Sequence, residues 1–131
     1  MSVTVIDASA VAAVVFDEPE AAPVLASVEQ SILAPSLLRY EMASICAVKL
    51  MRDPRQAKIT LDRYRLFTGL EIEFAEPEWD LLPVLARQWE LTAYDAAYLQ
   101  LALTRNAPLV TLDARLAAAY DKAARLASRR P

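Results

Sequence analysis

The sequence predicts an α/β domain in three layers, α/β/α, with a central parallel sheet of four or five short strands between helices. Three observations lead there. Four short runs rich in apolar and β-branched residues are spread along the chain: Val3-Thr4-Val5-Ile6, Ser31-Ile32-Leu33-Ala34, Glu71-Ile72-Glu73-Phe74 and Leu109-Val110-Thr111-Leu112. Each interval between them holds helical pattern, and parallel pairing needs a crossover of that size. The 131 residues are 56% hydrophobic and 24% charged, which suits one core and a single domain over residues 1–131.

The elements follow in order. The first strand ends at Asp7, and residues 8–16 form a short helix broken by Asp17-Glu18-Pro19. A second helix runs from about Glu20 to Gln30, with Pro23 in its first turn, where proline is tolerated. Pro35 closes the second strand, and Ser36 stands as N-cap of a helix reaching about Met51. Asp53-Pro54 punctuates, and the next helix spans residues 54–68 until Gly69, the only glycine, stops it. Residues 77–90 are helical after the third strand, and Thr92 begins another helix to about Arg105. Ala107-Pro108 turns into the fourth strand, and Asp113 opens a last helix with a basic tail.

Absences narrow the chemistry. With no His, the sequence has no serine or cysteine triad built on imidazole, no histidine zinc site and no histidine base. One Gly rules out the glycine-rich loops that cradle phosphates. One Cys allows neither an internal disulfide nor a thiolate cluster, which fits a reducing compartment. The start lacks a signal-peptide pattern, and no run of about 18 apolar residues suggests a membrane span, so a cytoplasmic protein is expected. What remains is carboxylates, hydroxyls, Lys, Arg and a hard metal ion.

Charge is unevenly laid out within the net −3. Residues 1–38 carry five acids and no base, whereas residues 39–65 carry seven bases against three acids. Such a layout describes either solvated helix faces or a basic rim beside an acidic centre, suited to holding a polyanion.

Four acids draw attention. Asp7 closes the first strand and Asp113 the fourth, at the strand ends where open parallel sheets bind ligands. Each also has a structural use, Asp7 as strand terminator or cap and Asp113 as N-cap of the last helix. Glu41 falls among Leu37, Leu38, Ser44, Ile45 and Val48 on one helical face, centrally on the stripe expected to meet the core. A charge there needs either an internal partner or a metal-filled cleft. Thr92 and Asp95 have the spacing of a capping box, yet Asp95 shares a face with Leu99, Ala102 and Leu103. If the four converge, they cannot all ionise comfortably without a cation, and Mg²⁺ or Mn²⁺ suits such a set.

Val5-Ile6-Asp7-Ala8-Ser9-Ala10-Val11, Pro35-Ser36-Leu37-Leu38-Arg39-Tyr40-Glu41, Leu91-Thr92-Ala93-Tyr94-Asp95-Ala96-Ala97-Tyr98-Leu99 and Leu109-Val110-Thr111-Leu112-Asp113 together resemble PIN-domain nucleases, most closely the VapC-like toxins of toxin–antitoxin pairs. The resemblance spans nearly the whole chain. It implies Mg²⁺-dependent hydrolysis of RNA, with Mn²⁺ as a substitute, at a site of Asp7, Glu41, Asp95 and Asp113. Asp7 and Asp95 would hold the metal, Glu41 and Asp113 would complete the acidic pocket, and Ser9 would orient the first acid or simply start a helix. Many relatives end in a further strand, a pattern residues 123–131 do not show.

The same resemblance implies an antitoxin protein as partner and a homodimer; Val11, Val14, Val15 and Phe16 read as ordinary core or, in the manner of that family, as surface for a dimer interface and an antitoxin groove. Trp79, Trp89, Tyr64 and Tyr94 are candidates for stacking on bases or for ordinary packing. Two other readings stand beside this one. Asp7 could accept a phosphoryl group, although no second acid follows at the haloacid-type position. Alternatively, the protein is a non-catalytic interaction module whose acids are only caps and ion pairs.

Overall fold

A computed structural model describes residues 2–28 and 31–129. Strands β1 (Val3–Ile6), β2 (Ser31–Pro35), β3 (Ile72–Ala75) and β4 (Leu109–Val110) form one sheet in the order β3-β2-β1-β4, every pairing parallel. Helices α1 (Ala8–Val15), α2 (Ala21–Ser27), α3 (Leu37–Arg52), α4 (Ala57–Thr68), α5 (Leu82–Trp89), α6 (Ala93–Thr104) and α7 (Ala114–Ser128) flank it. The chain adds β2 and β3 on one side of β1, then returns to place β4 on the other. The topological switch therefore lies between β1 and β4, where their carboxyl ends open a crevice.

The core explains the order. Val5 and Leu33 are fully buried in the sheet, and Leu38, Met42, Leu99 and Leu116 close on it from the helices. α6 is buried almost all round, from Ala96 to Ala102, and packs on β1, β2, β4, α5 and α7. An element apolar on every side belongs in the middle of a domain.

Several expected details change. The second helix ends at Ser27, and Glu29 and Gln30 lie outside the described residues, as do Met1, Arg130 and Pro131. Short 3₁₀ turns at Pro54–Gln56 and Trp79–Leu81 precede α4 and α5, so neither helix starts at its proline-rich entry. Ser36 precedes α3, yet its hydroxyl donates to Glu76 Oε1 and caps nothing. β4 stops at Val110 because Thr111 and Leu112 leave the ladder to bond Asp7 and Ser9. Among the described residues the sheet has four strands and no fifth.

Gly69 follows α4 with φ −94°, so its freedom at positive φ is unused. The left-handed residues are Asp17, Glu90 and Asn106. Each sits just past a helix, with the next N–H bonded five residues back: Glu18 to Ala13, Leu91 to Ala86 and Ala107 to Ala102. These are Schellman stops made without glycine.

The stripe on α3 also shifts. Leu38, Met42 and Cys46 are its buried line, while Ser44 and Val48 are exposed. Glu41 lies about 100° away from Met42, half-buried on the shoulder of the stripe and not at its centre. Val11, Val15 and Phe16 are buried and Val14 packs against them, so the early apolar run is core and not spare surface.

Candidate functional site

The site begins with local chemistry at two strand ends. Asp7 follows β1 in extended conformation and caps α1, its Oδ1 accepting from Ala10 N at 3.1 Å and from Ser9 Oγ at 2.7 Å. Oδ2 accepts from Thr111 Oγ1 at 2.6 Å, across the β1–β4 junction. The backbone supports this, since Asp7 N donates to Val110 O at 3.2 Å. Thr111 Oγ1 in turn accepts from Asp113 N at 3.0 Å, and Asp113 Oδ1 caps α7 by accepting from Arg115 N and Leu116 N. One hydroxyl thus fixes the first acid and aligns the fourth.

The other two acids arrive on helices. Glu41 projects from α3 and accepts from Tyr98 Oη on α6 at 2.6 Å. Tyr98 is only 1% exposed, so the bond ties two helices together at a buried point. Asp95 lies in the first turn of α6, where Thr92 Oγ1 accepts from the Asp95 N–H at 3.1 Å. Asp7 and Asp113 are therefore genuine caps, and Thr92 makes the expected capping contact. Glu41, by contrast, makes no ion pair among the described residues.

Electrostatics join the four. Burial pushes the Asp7 carboxyl above its ordinary range, against hydrogen bonds from Thr111, Ser9 and Ala10, and Asp113 adds to the rise. Glu41 is raised by burial, held back by Tyr98, and raised further by Asp7 and Asp95. Asp95 is raised by burial and by Asp113 and Asp7, with Thr92 and Arg115 pulling the other way. The Tyr98 hydroxyl is pushed well up by burial and by Glu41, so it stays protonated and donates.

A hard divalent cation matches this donor set, which is all oxygen and mutually repelling. Among the described residues no three acidic side chains close into a ready coordination shell. The fit is to an ion that takes one or two carboxylates and keeps several waters, as Mg²⁺ does. Asp7 and Asp95 are the pair that the family resemblance implies as metal ligands, and they lie within electrostatic reach of each other.

Two residues of the site escaped the sequence reading. Thr111 was counted as strand, although a hydroxyl at a strand end two residues before an acid is a usable signal. Tyr98 follows Asp95 by three positions and so shares its face, but it reads as an ordinary core aromatic.

A PIN domain family model matches residues 4–122. No curated protein sequence is significantly similar to the chain. The crystal structure of PAE2754 from Pyrobaculum aerophilum is similar with a TM-score of 0.67 and 20% identity, covering 98% of this chain and 97% of that one. At that identity the likeness concerns the fold.

Proposed function

The chain belongs to the PIN-domain family, and from that premise we propose that it is a Mg²⁺-dependent endoribonuclease, with Mn²⁺ as a substitute, serving as the toxin of a toxin–antitoxin pair. PIN domains are generally metal-dependent nucleases. The observation that carries the reading is the meeting of four carboxylates from four segments at the β1–β4 switch point. The choice of RNA, a cytoplasmic setting, a cognate antitoxin and a homodimer follow the VapC-like pattern of the four sequence motifs. No helix among the described residues is long and apolar enough to cross a membrane.

In this reading Asp7 and Asp95 hold the cation, which when bound neutralises phosphate charge and eases deprotonation of a water. Ser9 and Thr111 keep both Asp7 oxygens in place. Tyr98 holds Glu41 through Oε1, leaving Oε2 to accept a proton from the attacking water. Asp113 keeps the end of β4 aligned with the start of α7 and completes the negative field.

The interaction-module alternative accounts for Asp7 and Asp113 as caps and for Glu41 as the acceptor of the Tyr98 bond, but it gives no reason for four mutually repelling acids to gather in one crevice. Purified protein incubated with single-stranded RNA decides the matter. Cleavage should require Mg²⁺ or Mn²⁺, stop with EDTA, and vanish in Asp7→Asn and Asp95→Asn variants that keep the wild-type circular dichroism. Full activity in either variant, or in EDTA, would remove the carboxylate site from the mechanism.

A further inference from the structure

More than half of the cations in the basic stretch are paired with acids, and among the described residues Arg39, Arg52 and Arg55 are its members without an ion pair. Of the seven cations in residues 39–65, Lys49 pairs with Glu18, Lys58 and Arg65 with Asp62, and Arg63 with Asp17. Arg39 lies 4.0 Å over the Phe74 ring, in a cleft of about 800 Å³ beside β3 that also carries Glu71 and Glu73. There two acids outnumber the one cation. The groove between α1 and α3 does reach Ser9 and Glu41, but Glu18 and Glu20 line it along with Lys49 and Arg52. A polyanion leaving the acidic cluster would meet more negative charge there.

The cleft between α5 and α7 is different. Its volume is about 590 Å³, and Arg115, Lys122 and Trp89 line it, with Glu90 as its only acid. Neither cation takes part in an ion pair among the described residues. They lie seven positions apart on α7, on one face and about 10 Å apart along the axis. Small residues, Ala118 and Ala119, leave the wall between them open.

Arg115 ties the cleft to the acidic site. Arg115 is two residues beyond Asp113, its N–H is capped by Asp113, and its charge is felt at Asp95. Tyr94, beside Asp95, is 63% exposed. Unstacked bases and aromatic faces attract each other, which favours a single strand over a duplex.

We propose that the α5–α7 cleft carries the single-stranded RNA backbone away from the carboxylate site, with Arg115 and Lys122 each bonding a phosphate. The proposal rests on the nuclease reading above and adds the path of the substrate to it.

The test is fluorescence anisotropy with a fluorescein-labelled, random-sequence 20-nucleotide single-stranded RNA pool in Ca²⁺ buffer, from 50 to 200 mM salt. Wild type is compared with Arg115→Gln/Lys122→Gln and with Arg87→Gln, a cation of α5 that does not line the cleft. Two lost phosphate contacts should lower the log–log salt slope by about 1.4, with binding at 50 mM salt weaker by about tenfold. Arg87→Gln should bind as wild type does. Circular dichroism and melting temperature confirm that the double variant is folded.

Equal binding and slope in the double variant, or an equal loss in Arg87→Gln, overturns the cleft while the nuclease reading stands on its cleavage assay. Failure of the wild type to bind the pool at 50 mM salt also overturns the cleft. If the wild type in addition cleaves no RNA in Mg²⁺, the nuclease reading falls as well.

Discussion

Asp95→Asn should make the metal-free protein more stable and the metal-loaded protein less so, with the two melting curves exchanging order as Mg²⁺ is added. In the folded state the Asp95 carboxyl is raised by burial and then by Asp113 and Asp7. A raised carboxyl pKa means the native state binds more protons than the unfolded one, so stability falls as pH climbs through the folded value. Near neutral pH the whole penalty is present, and the isosteric amide removes it. Asp95 is only half-buried, so solvent screening keeps the gain small; in a chain of this length each kcal/mol moves Tm by about 4 °C. Metal at a hundred times its Kd adds about 2.7 kcal/mol to the wild type, or roughly 10 °C. The variant, lacking one of two proposed ligands, should gain only a fraction of that. Differential scanning fluorimetry in EDTA and across a Mg²⁺ titration reads both arms. A variant less stable than wild type in EDTA, or one rising in parallel with it in Mg²⁺, would refute the reasoning.

Three further predictions use the same geometry. Tyr98→Phe deletes the buried hydroxyl that bonds Glu41 at 2.6 Å and should cost about 1–2 kcal/mol in denaturant unfolding. Because that bond is what holds the Glu41 carboxyl down, the acid limb of the cleavage pH profile should move to higher pH. Asp113→Asn keeps a good cap for Arg115 N and Leu116 N, whereas Asp113→Ala costs about 1 kcal/mol; loss of cleavage in both would show that the charge, beyond the cap, is needed, and full activity in Asp113→Asn would reduce it to a cap. Finally, the metal-free protein should lose stability as pH rises above the reference values of 3.8 and 4.5 through the raised folded values of Asp7, Asp95 and Glu41. Asp62, lowered by Lys58, gives the opposite slope, but only at still lower pH. Thermal melts from pH 4.5 to 8 should slope downward in EDTA and flatten in Mg²⁺.

What the sequence revealed and what it hid follow from range. Strands β1 to β3 and the helix order were legible because short apolar runs and turn residues are local signals. β4 was overestimated because Thr111 and Leu112 have strand composition but bond to Asp7 and Ser9, about a hundred positions away. The acids at β1 and β4 were legible from the rule that ligands meet strand ends. Glu41 drew attention for a reason that needs correcting: its helix presents Leu38, Met42 and Cys46 to the core, so the periodicity argument was off by one residue, and Glu41 lies on the shoulder of the stripe against Tyr98. Tyr98 and Thr111 were hidden because a hydroxyl's partner is set by tertiary packing, which no spacing within one element reveals. The pairings within the basic segment 39–65 were hidden for the same reason. Four of its seven cations are paired with acids, two of them distant in sequence.

How the fold accommodates four neighbouring acids is answered by helix direction. Asp7 and Asp113 are the N-caps of α1 and α7, and Asp95 occupies the third position of α6. Three helices thus aim their N-termini at the same crevice, each presenting partial positive charge worth about 0.3–1 kcal/mol to a nearby carboxylate. Capping and catalysis are then not competing explanations for these residues. The bonds from Ala10, Arg115 and Leu116 that satisfy helix ends also offset the cost of holding negative charge in the crevice. Glu41 is the exception, arriving from the shoulder of α3 with only the Tyr98 hydroxyl to steady it. It is therefore the acid most dependent on a single partner, and the one whose protonation that partner most directly controls.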